Sequence, residues 1–322
     1  YDVDGLVFDD YFYPDRLPLG KGYDYNEWRG SGSKLSQADW RRENVNKTVR
    51  AVHEMIQEVK PYVQFGISPA GVGGGNGVSA SRYGLDDCTG NDWMYDRIFC
   101  DPLPWLAEGT VDYVSPQLYW ASTHATNPYE PLAKWWSETA FSFGRHFFSS
   151  QNIGALPAGA KAWAEQGLEI ETNRKQNAAV SGTEIAPNSG HVLYSVSYMT
   201  GKKCSGLTDY LAANQFAFPA LMPPMTWKKA PNPGGVRGLR RDGSALGWYP
   251  QPGMRYVVYA VPDGLTPLDA LASSGVNFRP EYVIGVTYGH EFSIPPSRSS
   301  GYWYAVAPYD RYGNEWHPEI IR

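Results

Sequence analysis

The sequence predicts an α/β region followed by an all-β one. Three observations carry this. Five short apolar runs recur before residue 200 with helix-patterned stretches between them, several of these runs stop in polar and aromatic residues, and beyond Met222 a Pro- and Gly-rich stretch gives way to short alternating segments. Strands that alternate with helices pair in parallel. Short alternating segments bounded by turn residues are the pattern of a sandwich.

The first run, Val3–Asp10, is expected to be a strand buried on both faces. Leu6 and Phe8 share one face and Gly5 and Val7 the other, because strand side chains alternate. The apolar run stops in Asp9, Asp10 and Tyr11, and two adjacent acids before a cluster of rings are candidates for chemistry. The next strands are Val63–Pro69, Val111–Tyr119, His146–Ala155 and His191–Tyr198. A helix over Gln37–Lys60 is predicted with Ser36 as its N-cap and Pro61 as its stop. Val45, Val49, Val52, Ile56 and Val59 form its apolar stripe. Further helices are expected over Asp92–Gly109 (broken by Pro102 and Pro104), Pro128–Arg145 and Asn173–Val180. Five such units do not close an eight-stranded (β/α) barrel. Either three units precede this sequence or the sheet is open with its own edges.

The linker-like stretch places the domains at 1–222 and 226–322. The second should contain strands over Val236–Arg240, Ala245–Tyr249, Arg255–Val261, Glu281–Tyr288, His290–Ile294 and Gly301–Tyr309, with Trp248 in the core. The run Tyr302-Trp303-Tyr304-Ala305-Val306-Ala307-Pro308-Tyr309 with the turn through Glu315 resembles the penultimate strand of fibronectin type III modules. That resemblance implies a spacer or packing partner without chemistry of its own.

Composition narrows the function. Of 322 residues, 15% are aromatic and 19% charged, which suits surfaces for flat, hydroxyl-rich ligands such as sugars. The net charge of -5 with no basic block argues against a nucleic-acid partner. No apolar run is long enough to span a bilayer. Cys88, Cys100 and Cys204 lack metal-ligand spacing, and a Cys88–Cys100 disulfide is open in an exported protein. The Gly71–Gly77 run lacks the order and context of a phosphate loop, and the acidic stretch Leu85–Asp92 lacks Ca²⁺-loop spacing. No cofactor or metal is expected.

In a parallel sheet the carboxyl ends of the strands hold the site. Asp9 and Asp10 are therefore the catalytic candidates. The substrate-binding candidates are Tyr11, Tyr13, Trp40, Arg42, Asn44, Ser68, Gln117, Tyr119, Trp120 and Tyr198. Arg41 and Arg42 open a helix, where a cation is electrostatically unhelpful, so one of them should face the acids or a ligand. His124 follows the Tyr119-Trp120 tip and is placed to approach the cleft. The long loop from Pro14 to Ser36 adds Tyr23, Tyr25, Glu27 and Trp28 as a lid or binding loop.

Four motifs, Asp4-Gly5-Leu6-Val7-Phe8-Asp9-Asp10-Tyr11-Phe12-Tyr13-Pro14, Trp40-Arg41-Arg42-Glu43-Asn44-Val45-Asn46, Phe65-Gly66-Ile67-Ser68-Pro69 and Asp112–Trp120, together resemble glycosyl-hydrolase-like family 10. The resemblance implies a TIM-type (β/α)₈ barrel in which the first motif is the fourth strand, so that three strands are expected upstream of this sequence. It also implies an exported envelope protein acting on peptide-free peptidoglycan glycan. The first motif is further similar to the Asp-Gly-x-Asp-x-Asp-x-Glu strand of family 18 chitinases, with Asp9 at the third acid, Val7 replacing the second and Tyr11 replacing the Glu. The expected chemistry is acid-assisted cleavage at the rim of a glycan carrying N-acetyl groups, with Asp9 and Asp10 dividing proton donation and acetamide orientation. A barrel that binds carbohydrate without cleaving it is the alternative.

Overall fold

The computed structural model describes residues 1–9, 12–73, 77–157, 159–181, 189–270 and 278–322, with the side chains at 78, 180, 181 and 189 also set aside. The chain forms two compact units, Tyr1–Ser181 with Asn188–Tyr210, and Leu211–Arg322.

The first unit is built on β1 (Gly5–Phe8), β2 (Gln64–Ile67), β3 (Tyr113–Val114), β4 (His146–Asn152) and β5 (Ser189–Tyr194). They pair in parallel in chain order, β1-β2-β3-β4-β5, with Gly5 opposite Gln64 and Phe8 opposite Ile67. Crossovers between parallel strands are right-handed, so sequential strand order sends the connecting helices to one face. A doubly wound sheet instead reverses its order part-way. The arrangement fits part of an α/β barrel of the TIM type. Among the described residues neither β1 nor β5 pairs with a further strand, and the sheet is open.

The two faces differ in chemistry. Phe65, Ile67, Val114 and Phe147 lie in the core on the helix side with Val45, Val49 and Trp136. Alternation puts Gln64, Gly66, Ser68, Tyr113, His146 and Phe148 on the other face, where Gln64 Nε2 meets His146 Nδ1 at 2.8 Å. A β-carbon at Gly66 would lie 2.2 Å from the Tyr113 ring, so only glycine lets that ring lie across β2. The expectation that β1 is buried on both faces is corrected: Leu6 is 40% and Val7 49% exposed. As an edge strand β1 has one ladder partner, and of its apolar side chains only Phe8 packs against the core, edge-on to Phe65 at 5.2 Å.

The helices are α1 (Tyr25–Gly30), α2 (Gln37–Val59), α3 (Gly77–Arg82), α4 (Pro102–Glu108), α5 (Tyr129–Ser142), α6 (Ala160–Ser181) and α7 (Val196–Met199). Ser36 caps α2 as predicted, its Oγ accepting the Asp39 amide at 3.1 Å. Val45 and Val49 are buried, but Val59 is 69% exposed and ends the stripe early. The expected Asp92–Gly109 helix is two elements, a π-helical turn over Trp93–Arg97 and α4. Asp101 caps α4, Pro102 starts it and Gly109 closes it at φ 70°. The prolines therefore begin a helix rather than break one. The predicted strand His146–Ala155 ends at Asn152 and continues as a 3₁₀ turn, and the predicted His191–Tyr198 strand turns into α7 after Tyr194. α6 is far longer than the expected Asn173–Val180. Its buried positions mix Trp163 and Ile170 with Gln166, Asn173 and Asn177, so no apolar stripe marks it. The three cysteines are free thiols, so Cys88 and Cys100 are not bridged.

The second unit carries two antiparallel sheets. One is ordered β10 (Glu291–Ser293), β7 (Ala245–Tyr249), β6 (Arg237–Asp242) and the other β12 (Glu319–Ile321), β11 (Tyr302–Tyr309), β8 (Arg255–Pro262), β9 (Val283–Thr287). Trp248 is 1% exposed in a core with Leu246, Val258 and Tyr304, as its place on an early strand implied. The terminal strand β12 has three residues with no apolar alternation, and only its pairing with Val306–Tyr304 defines it.

Candidate functional site

The carboxyl ends of β1 to β4 meet at Gln117. Gln117 continues β3 beyond its ladder, bridging Ala70 on one side and Ser150 on the other. Close approach of the chain after β2 allows this: a β-carbon at Gly71 would stand 2.6 Å from the Gln117 carbonyl oxygen, so the position takes only glycine. Gln117 Nε2 donates to Asp9 Oδ1 at 2.7 Å and to the Ser68 carbonyl at 3.2 Å, with Ser68 Oγ at 3.4 Å. Gln117 is buried and Asp9 is exposed, so a fixed amide presents one oxygen of an accessible carboxylate. Hydrogen bonds to a carboxylate are stronger than neutral ones and restrain its rotamer.

Rings flank this contact. Tyr119 is half-buried. Burial pushes its phenol up, a hydrogen bond with Ser150 opposes this, and the charge of Asp9 adds to the rise. The phenol is therefore a neutral donor near pH 7. Its ring stacks on Tyr194 with centroids 5.9 Å apart at 29°, and Tyr194 meets Tyr198 at 6.1 Å. Tyr198 lies on α7 rather than a strand tip. Its ring covers Gly154, where a β-carbon would come within 2.2 Å. Trp120 is half-buried beside His124, whose Nδ1 accepts the Thr126 and Asn127 amides in a turn. A cavity of about 140 Å³ opens next to Gln117 and is lined by Ala70, Val72, Asn91, Trp93, Tyr119 and Trp120.

The structure thus brings together Asp9, Ser68, Gln117, Tyr119 and Trp120, and joins Tyr198 through Tyr194. Asp10 and Tyr11 lie outside the described residues. The remaining candidates form a second cluster around α2. Asn44 Nδ2 donates to the Tyr13 hydroxyl at 3.3 Å, and Tyr13 packs edge-on to Phe99. Trp40 is half-buried on the same helix.

The expectation that Arg41 or Arg42 faces the acids of β1 or a ligand is corrected. Arg42 donates to the Tyr95 carbonyl and to Asp39, with its guanidinium 3.7 Å from the Tyr95 ring centre. Arg41, fully buried, forks onto Asp24 at 2.9 and 2.7 Å and also reaches the Leu17 and Pro18 carbonyls. Gln37 completes this latch by donating to Asp24 and accepting from Gly20. Burial alone would raise the Asp24 carboxyl, but the bonds from Arg41 and Gln37 and the Arg41 charge hold it below the ordinary range. The loop Pro14–Ser36 is thereby pinned to α2, with Tyr25 and Trp28 packed edge to face on α1 and Glu27 exposed.

Sequence reasoning did not single out Tyr194, Asn91 or Trp93. Tyr194 follows Val192 on the same strand face, a usable signal. Asn91 belongs to the acidic stretch Leu85–Asp92, in which the sequence marked no site, and Trp93 opens the π-helical turn that follows it. Among the described residues no group of three or more His, Cys, Asp or Glu is placed to hold a metal ion, and no helix is long and apolar enough to cross a membrane.

Comparison with known proteins agrees with the motifs. Glycosyl hydrolase YngK of Bacillus subtilis (strain 168) is 32% identical over 238 residues, covering 70% of this chain and 43% of YngK. Glycosyl hydrolase DigH of Escherichia coli (strain K12) is 31% identical over 218 residues, covering 66% of this chain and 47% of DigH. The chain thus spans somewhat under half the length of these relatives. The endo-beta-1,4-mannanase from Thermotoga petrophila aligns with a TM-score of 0.30 and 11% identity over 87% of this chain and 60% of its own, a superposition too loose to bear on the fold. Residues 1–164 match the family glycosyl hydrolase-like 10, and the chain belongs to that family.

Proposed function

We propose that the protein is a glycoside hydrolase that cleaves an N-acetylated bacterial glycan, such as peptide-free peptidoglycan, at the strand-end rim of its first unit. The single observation that carries this reading is the 2.7 Å contact between Asp9 and Gln117 with Tyr119 and Trp120 beside it. An oriented carboxylate between rings is the equipment for a hydroxyl-rich ring with a charged transition state. The glycosyl hydrolase names of the relatives point the same way.

The mechanism we favour uses the two neighbouring acids. The Asp10 carboxyl protonates the glycosidic oxygen as the bond to the anomeric carbon breaks. The carbonyl oxygen of the sugar's own acetamide closes on that carbon, and Asp9 accepts the acetamide N–H. Water then opens the cyclic intermediate, returning a proton to Asp10. Tyr119 or Tyr198 donates to the acetamide. Such a substrate lies outside the cytoplasm, so we place the protein in the envelope or beyond. The second unit we read as a fibronectin type III-like spacer, a reading supported by its three- and four-stranded antiparallel sheets.

The test is release of reducing ends from peptide-free peptidoglycan glycan by wild type, Asp9→Asn and Asp10→Asn. Loss of a general acid or of an oriented carboxylate costs roughly 10²–10⁴ in rate. Wild-type turnover in both variants overturns the assignment. Saturable binding with no reducing ends over time overturns the hydrolase reading in favour of a carbohydrate-binding barrel.

A further inference from the structure

We propose that the cavity beside Gln117 is an acetamido pocket, and that Asn91 and Trp93 make the protein select N-acetylated sugars over plain ones. The inference deepens the hydrolase reading and rests on it.

Size is the first argument. A cavity of about 140 Å³ is small for a sugar. A cavity of about 150 Å³ holds benzene, a group of six non-hydrogen atoms, so this space takes a group of about that size. An acetamido group has four, whereas a whole pyranose with its hydroxyls has more than twice as many. The cavity suits one substituent, with the ring left outside.

Chemistry is the second. An acetamido group presents a methyl, a flat amide, one acceptor and one donor. Ala70 and Val72, both buried, supply an apolar floor for the methyl. Trp93 and Trp120 supply flat surfaces for the amide plane. Asn91 is exposed and held in place: its backbone N–H donates to Asn127 Oδ1 at 3.2 Å, and its own Oδ1 accepts the Trp93 amide at 3.1 Å. Its Nδ2 has no partner among the described residues and is the donor for the acetamide carbonyl. A hydroxyl in the same space would leave the floor uncovered and the indoles unstacked.

Position is the third. Gln117 lines the cavity and holds Asp9. The proposed pose puts the sugar's C2, and the anomeric carbon next to it, at the Gln117 wall, the residue whose amide also holds Asp9.

The experiment uses the whole chain and compares binding of N,N′,N″,N‴-tetraacetylchitotetraose and cellotetraose by isothermal titration calorimetry. The two differ only in acetamide against hydroxyl at C2. Wild type should bind the acetylated oligomer at least ten-fold more tightly. Asn91→Asp keeps the oxygen that caps Trp93 and removes the donor, so it should lose most of that preference while circular dichroism and cellotetraose binding stay as in wild type. Trp93→Phe, which keeps a flat ring, should retain part of it. Equal binding of both oligomers by wild type, or an undiminished preference in Asn91→Asp, overturns the pocket and leaves the hydrolase reading standing. Absence of binding by either oligomer overturns the pocket and the glycan reading together.

Discussion

Gln117→Met tests whether the rim works as a unit. Methionine matches glutamine in length and removes both the donor and the acceptor. In the structure Nε2 serves Asp9 Oδ1 at 2.7 Å and the Ser68 carbonyl at 3.2 Å, and both contacts vanish in the variant. A hydrogen bond to a charged group contributes about 1.5–3 kcal/mol, so if the bond holds Asp9 in its working rotamer the variant should lose roughly 10- to 150-fold in kcat/KM. On the proposed mechanism the loss should fall on kcat, because Asp9 acts there in the reacting step. Leaving the Ser68 carbonyl without its partner costs about 1–3 kcal/mol of stability. The assay is reducing-end release from peptide-free peptidoglycan glycan over a range of concentrations, with urea unfolding as the control for folding. An unchanged kcat in a folded Gln117→Met protein refutes the argument, because it means that the Asp9–Gln117 contact does not support the chemistry.

Two further outcomes follow from buried charges. Arg41→Ala strands Asp24 in the loop latch, and removal of one partner of a buried pair costs about 3–5 kcal/mol, read as a lower urea midpoint; a loss below about 1 kcal/mol would show that the latch is dispensable. Because Asp24 titrates below the ordinary range when folded, the latch contributes above the unfolded carboxylate pKa and fades as pH falls through the folded value, so wild-type and Arg41→Ala stabilities should converge in acid. Glu169 behaves in the opposite sense. Burial raises its carboxyl to about 7, only partly opposed by Gln151, so the folded state holds a proton that the unfolded state releases. Stability should fall as pH rises from the ordinary glutamate range to about 7, and Glu169→Gln should flatten that slope and be the more stable form at pH 8. Parallel pH profiles for the two proteins would contradict it.

What the sequence could show was local. Alternation along Val3–Asp10 separated Gly5 and Val7 from Leu6 and Phe8, and Asp9, the next residue on the Gly5 and Val7 face, is the one that meets Gln117. Ser36 and Gly109 marked helix ends because capping uses neighbours a few residues away. The failures share a cause, which is that the deciding partner is distant in the chain. Arg41 looked misplaced at a helix start, and the carboxylate that explains it is 17 residues upstream in a loop with no pattern. Arg42 looked like a ligand contact, and its partner carbonyl is 53 residues downstream. α6 was cut short because Asn173 and Asn177 face inward, where Asn177 meets Ser137 of α5. Leu6 and Val7 read as buried because apolar residues in a strand usually are, yet burial belongs to the pair of surfaces, and among the described residues β1 pairs with β2 alone. By the same logic Asn91 could not have been picked out: its proposed role depends on Asn127 fixing its backbone and Trp93 fixing its oxygen, which leaves a nitrogen without a partner among the described residues on a side chain that lines the cavity beside Gln117. A residue of this kind is found by asking which polar atom in a wall is held still yet unspent, and that question needs coordinates.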